Sequence, residues 1–393
     1  MQIDRWLLPE GIEEILPPRA EELEATMRRL LDLFKGWGYE LVMPPFIEYL
    51  ESLLTGTGND LDLQTFKLTD QLTGRLMGVR SDMTPQVARI DAHCLKRDVP
   101  SRLCYMGTVL KTLPSTHGGN RSPMQVGVEL YGHAGVESDV EVLRLMVKAL
   151  HIAGVEHVYL DLGHVGIFRG LARQAKLDAN AEVQLFDALQ RKAKPEIGAI
   201  LAEQALSAPL HDMLASLADL HGDRKVLDKA RSLLAEADGP VLQALESLRQ
   251  IAESIADLPG TSIHFDLAEL RGYHYHTGAV FAAFVPGQGQ AIAQGGRYDD
   301  IGQVFGRARP ATGFSTDLKA VLSLKDAKSL ELRGIFAPSG RDESLLKVIE
   351  ELREAGERVI QALPGQQGGA ADMGCDRELV QQDSRWRAMP IQK

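Results

Sequence analysis

The chain has 393 residues, 44% of them hydrophobic and 25% charged, with a formal net charge of −11 and a pI near 5.5, as in an ordinary globular protein of two or three domains. The acidic balance repels polyanions, and the densest basic candidate, Lys96-Arg97 with Arg102 nearby, reads as a solvated loop. No apolar run approaches the roughly 20 residues of a membrane span, the N-terminus shows no signal-peptide pattern, and Cys94, Cys104 and Cys375 have no paired spacing, so a reducing, cytoplasmic setting without a structural zinc is expected.

In chain order, Pro9 to Pro18 is a loop-rich entry. Leu23, Met27, Leu30, Leu31 and Phe34 share one helical face, which predicts an amphipathic helix over 19–35 closed near Gly36 and Gly38. A short strand follows over Tyr39–Pro45. Residues 64–80 alternate around Gln71-Leu-Thr-Gly74 as a hairpin that delivers Arg80, Asp82 and Thr84 to one edge. Thr84-Pro85 opens a helix running through His93. Strands are expected at 103–110 and 124–131, joined by a polar loop from Lys111 to Pro123. In the second strand Gln125, Gly127 and Glu129 alternate with Val126, Val128 and Leu130, and a row of Gln and Glu on a buried face requires partners.

A helix over 138–153 and a strand over 157–162 come next. From Ile167 to Leu258 the composition turns Ala- and Leu-rich, broken near Pro195, Pro209 and Gly239-Pro240, as in a helical domain inserted between strands. The sheet resumes at 263 with Ile263, Phe265, Leu267 and Leu270, which places Arg271 at a strand end, where its guanidinium fork suits a ligand carboxylate or phosphate. Tyr273, His274, Tyr275 and His276 add rings with polar edges. Gly295-Gly296 either lets a neighbouring backbone approach or simply turns a hairpin, and Arg297 can pair with Asp299 beside it. His274 and His276 lack a third metal ligand at usable spacing. After Leu324 the pattern is a linker, a strand at 334–338, a helix near 342–354, Val359–Leu363 and a Gly/Gln-rich tail.

Five blocks in order carry a resemblance: Gly38-Tyr39 through Pro45 and Glu48; Arg80-Ser-Asp-Met-Thr84; Gln125-Val-Gly-Val-Glu129-Leu-Tyr-Gly132; Arg271-Gly272; and Gly295-Gly-Arg-Tyr-Asp299 with Gly313-Phe314. Over roughly residues 1–325 they resemble the catalytic domain of class II histidyl-tRNA synthetases. That implies an α+β fold, an antiparallel sheet flanked by helices and dimerised through the first helix–strand unit. The implied division is a core of 1–166 and 259–325, a helical insertion of 167–258, and a segment of 326–393 too small for a full anticodon-binding domain.

By the same resemblance Asp82, Thr84 and Gln125 hold the α-amino group of histidine, Arg271 its carboxylate, and Glu129 accepts from its imidazole. Tyr275 and His276 stand where the synthetases have paired tyrosines. Of the adenylating groups Arg121 is kept, but it cannot do the work of two lost arginines: the arginine of the second motif is Lys111, its glutamate is Leu113, and the arginine of the third motif falls on Ala320, with Lys319 on another side of the helix. Transfer at phosphorus needs such fixed positive charge. The pattern is similar to the regulatory subunits of ATP phosphoribosyltransferase. That implies a non-catalytic protein without tRNA or cofactor, a homodimer within a hetero-oligomer with the catalytic subunit, and L-histidine as effector of the first step of histidine biosynthesis. The alternatives are an active histidyl-tRNA synthetase, against which Ala320 weighs most, and a scaffold with a vestigial pocket.

Overall fold

The computed structural model describes residues 6–55, 59–114, 119–270, 272, 275–324 and 333–391, the side chains of 59 and 60 aside. Arg271, Tyr273 and His274 lie outside the described residues. The chain falls into two compact units, Met1–Glu14 with Leu23–Lys325, and Ile15–Glu22 with Asp326–Lys393.

Helix α1 (Arg19–Gly36) buries Leu23, Thr26, Leu30 and Phe34 along one stripe. Glu21 and Glu22 in its first turn and Lys35 in its last complement the helix dipole. Gly38, at φ +81°, turns the chain so that the Tyr39 amide donates back to the Phe34 carbonyl at 3.0 Å. The strand expected over Tyr39–Pro45 shrinks to β1 (Glu40–Leu41), because Pro44 and Pro45 have no N–H to continue a ladder. The chain then enters a second, three-stranded sheet. Its strands are β2 (Ile47–Tyr49), β3 (Phe66–Thr69) and β4 (Leu76–Val79), in the order β2-β4-β3, with short helices α2 (Leu50–Leu53) and α3 (Asn59–Gln64) between the first two. The hairpin of β3 and β4 is the one expected around Gln71–Gly74.

Helix α4 (Thr84–Arg89) starts at Thr84-Pro85 as expected but widens into a π-helical turn, Ile90–Leu95, that closes on Lys96 at φ +52°. The main sheet follows with β5 (Ser101–Thr108), β6 (Met124–Tyr131), helix α5 (Val136–Ile152) and β7 (Val158–His164). Helices α6 (Val165–Gln174), α7 (Ala179–Gln190), α8 (Lys194–Ala202) and α9 (Ala208–Ser216) precede a two-residue strand, β8 (His221–Gly222). Then come α10 (Lys225–Leu233), α11 (Gly239–Ser254) and the strands β9 (Thr261–Asp266), β10 (Ala279–Phe284), β11 (Ala293–Arg297) and β12 (Ala311–Asp317), closed by α12 (Leu318–Leu322). Pro195, Pro209 and Pro240, which mark breaks in the sequence, each sit in the first turn of a helix, where a missing N–H costs nothing.

The nine strands run in the order β1-β5-β6-β12-β11-β10-β7-β9-β8. The sheet is antiparallel from β5 through β7 and parallel at β1–β5 and β7–β9, so it is mixed rather than purely antiparallel. Beneath one end, Met83, Val87, Leu103, Tyr105, Tyr131, Tyr298 and Ala311 form a cluster against which Tyr275 packs.

The second unit corrects the expectation of a Gly/Gln-rich tail. Strand β13 (Ile335–Ala337), helix α13 (Glu343–Glu354) and β14 (Val359–Gln361) are followed by a hairpin of β15 (Arg377–Gln382) and β16 (Arg385–Pro390), giving a four-stranded sheet in the order β14-β13-β15-β16. Ile335, Ala337, Leu345, Ile349, Val359 and Leu379 form its core. The hairpin escapes notice because its turn residues, Asp383 and Ser384, take φ of +49° and +62° without the glycine that normally signals such a turn. Ser384→Gly is therefore expected to raise stability, by up to about 1 kcal/mol in denaturant midpoints.

Candidate ligand-binding site

Strands β5, β6 and β12 present one polar face, and register decides which side chains meet there. Glu129 on β6 lies opposite Gly313 of β12, and Tyr105 of β5 lies opposite Gly127 of β6. Both glycines are required: a Cβ on Gly313 would come within 1.7 Å of Glu129 Oε2, and one on Gly127 within 2.4 Å of the Tyr105 hydroxyl. The sheet thus makes room for two large polar side chains by omitting two small ones.

Glu129 is 1% exposed. The Tyr105 hydroxyl donates to its Oε1 at 3.0 Å and the Tyr298 hydroxyl donates to its Oε2. Burial pushes the Glu129 carboxyl well above the usual carboxylate range; hydrogen bonds from Thr84 and Tyr105 oppose this and the charge of Asp82 adds to it. Thr84 Oγ1 lies 3.0 Å from the Tyr105 hydroxyl. Gln125 braces the turn before α4: its Nε2 donates to Asp82 Oδ1 at 2.7 Å and its Oε1 accepts from the Met83 amide at 2.9 Å. Asp82 also accepts from the Thr84 amide at 3.0 Å. Asp82, Thr84, Gln125 and Glu129 therefore form one linked polar network.

The segment after Gly272 supplies the wall. Gly272, at φ +65°, accepts from the amides of Tyr275 (2.8 Å) and His276 (2.7 Å), which folds the segment back on itself. The Tyr275 ring stacks on Tyr298 with centroids 4.9 Å apart, and His276 meets Tyr275 edge-on at 5.3 Å. The Tyr275 hydroxyl is buried and has no hydrogen-bond partner among the described residues, a donor left over for a ligand. Six of the seven expected site residues are thus brought to one end of the sheet; Arg271, the seventh, lies outside the described residues. Tyr105 and Tyr298 were missed as site residues. Tyr298 stands inside the quoted Gly295–Asp299 block, while Tyr105 is signalled only by the glycine opposite it.

Gly295 and Gly296 serve close strand approach: a Cβ on either would meet the Gly313 or the Ala279 carbonyl oxygen at 2.1 and 2.6 Å. Arg297 reaches Asp299 at 3.3 Å, but its main partners are Asp139 at 3.0 Å and Ser138 at 2.8 Å on α5. The positions that the resemblance aligns with the adenylating groups carry other contacts. Arg121 donates to the carbonyls of Lys111 and Glu10, both at 3.0 Å, and lies over the Phe66 ring, so it ties down its own loop and the N-terminal segment. Ala320 is exposed on α12, whereas Lys319 is buried on another side, with Nζ 3.3 Å from Ser122 Oγ and 3.8 Å from Glu13.

The fold is of the class II histidyl-tRNA-synthetase type. A family model described as histidyl-tRNA synthetase matches residues 11–321. The solved structure of a histidyl-tRNA synthetase from Nostoc sp. shares the fold, with a TM-score of 0.78 at 19% identity over 96% of this chain and 91% of that one. A second family model, the ATP phosphoribosyltransferase subunit HisZ C-terminal domain, matches residues 332–389. An ATP phosphoribosyltransferase regulatory subunit from Thioalkalivibrio sulfidiphilus is 64% identical over 379 residues, 96% of each chain, and one from Pseudomonas syringae is 58% identical over 392 residues, 99% of each. A Bacillus halodurans structure described as an ATP phosphoribosyltransferase regulatory subunit/histidyl-tRNA synthetase superposes with a TM-score of 0.83 at 27% identity, over 95% of this chain and 97% of that one. The chain belongs to the family of ATP phosphoribosyltransferase regulatory subunits.

Proposed function

We propose that this chain assembles with the short-form catalytic subunit of ATP phosphoribosyltransferase, activates it, and carries feedback inhibition by L-histidine bound in the pocket of Asp82, Thr84, Gln125, Glu129, Arg271, Tyr275 and His276. The observation that carries the reading is Glu129: a buried carboxyl bracketed by two tyrosines, beside stacked rings and an unpartnered tyrosine hydroxyl. A zwitterion with an imidazole supplies the missing groups, an ammonium for Asp82 and a ring N–H for Glu129. The exposed Ala320 and the committed Arg121 support binding without adenylation. Linkage does the rest: if histidine prefers one quaternary state, a coupling of about 1–3 kcal/mol shifts the equilibrium between the states about 5- to 150-fold, and the partner's activity follows the favoured state.

The same reading makes the protein a cytoplasmic homodimer within a hetero-oligomer, without tRNA or cofactor. In support of the dimer, Leu41, Met43, Phe46 and Ile47 are exposed along and beyond β1, at the edge of the main sheet. In support of the setting, the three cysteines are free and no described helix is long and apolar enough to cross a membrane. The domain division keeps 1–166 with 259–325 as the binding core, 167–258 as the helical insertion and 326–393 as the C-terminal segment.

The test is calorimetric titration of L-histidine into the purified protein, with histidine-dependent exchange of pyrophosphate into ATP followed in the same preparation. Saturable heat without exchange, abolished by Arg271→Ala, is the expected result. Exchange at an enzyme-like rate would return the chain to the synthetases, and an absence of heat would leave a scaffold.

A further inference from the structure

The helices of the 165–258 region hold the ligand-binding segment at both ends. At its start, Lys192 Nζ reaches Asp266 Oδ1 at 2.9 Å and Oδ2 at 2.7 Å, and the Leu220 carbonyl accepts from the Leu267 amide at 3.0 Å. At its end, Arg169 Nη2 donates to the His276 carbonyl at 3.2 Å. Asp266 is in turn the hub of the turn that leads toward Arg271: its Oδ1 accepts from the Ala268 amide and its carbonyl from the Glu269 amide, both at 3.0 Å. The loop is also tied to the sheet side: the Thr277 amide donates to the Arg297 carbonyl at 2.7 Å and its hydroxyl accepts from the Asp299 amide at 3.0 Å. Leu220, Leu267 and Leu270 are fully buried at this junction, and a cavity lined by Gln190, Asp266, Ala268 and Glu269 lies beside them, so directed bonds add to apolar packing there.

Lys192 is placed for this at a local cost. It follows α7 at φ +50°, where glycine is the favoured residue, with its amide on the Leu189 carbonyl and the Ala193 amide on the Ala188 carbonyl. A glycine would relax the backbone there but could not reach Asp266. An unfavourable residue held at a helix end, with a functional reach, is the pattern expected when the side chain is needed.

We propose that Lys192 is a positioning residue: through Asp266 it fixes the turn from Leu267 to Leu270 that leads into the pocket, so the helical region sets the pocket's affinity. This rests on the pocket being the histidine site. The experiment compares the full-length wild type, Lys192→Gly and Lys192→Arg by three readouts: L-histidine affinity by calorimetry, amide hydrogen exchange over 267–270 without ligand, and thermal melting. Lys192→Gly is expected to weaken histidine roughly 3- to 30-fold and to speed exchange over 267–270, with no fall in melting temperature because φ +50° suits glycine. Lys192→Arg should restore both affinity and exchange. Unchanged exchange, unchanged affinity, or a loss of affinity matched by a general loss of stability overturns the proposal. If the wild type binds no histidine, the pocket reading fails, and the exchange over 267–270 alone decides whether Lys192 holds the turn.

Discussion

Glu129→Gln is expected to weaken L-histidine binding by roughly 10- to 100-fold while leaving the protein folded and, at neutral pH, no less stable. On the proposed reading, the binding loss follows from removing a carboxylate that, once deprotonated, accepts from the ligand's imidazole N–H, since hydrogen bonds to charged groups contribute about 1.5–3 kcal/mol. The stability follows from linkage. The folded-state pKa of Glu129 is raised by burial above the ordinary value of 4.5, so the native state keeps a proton that the unfolded chain has already released. The stabilisation linked to that proton is present in full below about pH 4.5 and is lost as pH rises through the folded pKa. Gln has the shape of the protonated acid and no charge to bury, so the variant should lack this component of the pH profile. Its denaturant midpoint should gain on the wild type as pH rises above about 4.5; a parallel profile would show that Glu129 titrates normally in the fold. Histidine affinity of the wild type should rise as pH climbs through the folded-state pKa, because a protonated Glu129 must lose its proton before it can accept from the ring.

The contrast between what sequence and structure each reveal runs along one physical line. Alternation and helical spacing are local, so α1, the β3–β4 hairpin, β5, β6 and α5 are legible, and the row of Gln125, Gly127 and Glu129 correctly points to one polar face. Pairing across strands is not local. Nothing near Tyr105 in sequence says that it faces Gly127, and nothing near Gln125 says that its amide bonds Asp82 and the Met83 amide. Proline misleads in the opposite direction: Pro195, Pro209 and Pro240 look like interruptions and are helix starts. The β15–β16 hairpin was hidden by a turn made from Asp383 and Ser384 in left-handed conformations, which composition reads as tail.

Gly313→Ala should be the most disruptive single methyl group that can be added to this pocket. Its new Cβ would lie 1.7 Å from Glu129 Oε2 and 2.6 Å from the Val128 carbonyl oxygen. The first clash is with the end of a side chain, but one held by Tyr105 and Tyr298; the second is with the backbone of the adjacent strand, in the β6–β12 ladder at the sheet's centre. Overpacking typically costs about 1–3 kcal/mol, and more where the neighbour cannot yield. The variant is expected to lose at least about 3 kcal/mol in urea unfolding and to bind no measurable histidine. Adding Glu129→Ala to it separates the two clashes. The carboxylate contact disappears and the carbonyl contact stays, so the double variant should recover part of the stability and none of the binding. The difference from additivity then measures how much of the strain passes through Glu129. Full recovery would mean that the strand backbones yield easily, and no recovery would mean that the ladder itself, rather than the polar side chain laid across it, sets the requirement for glycine.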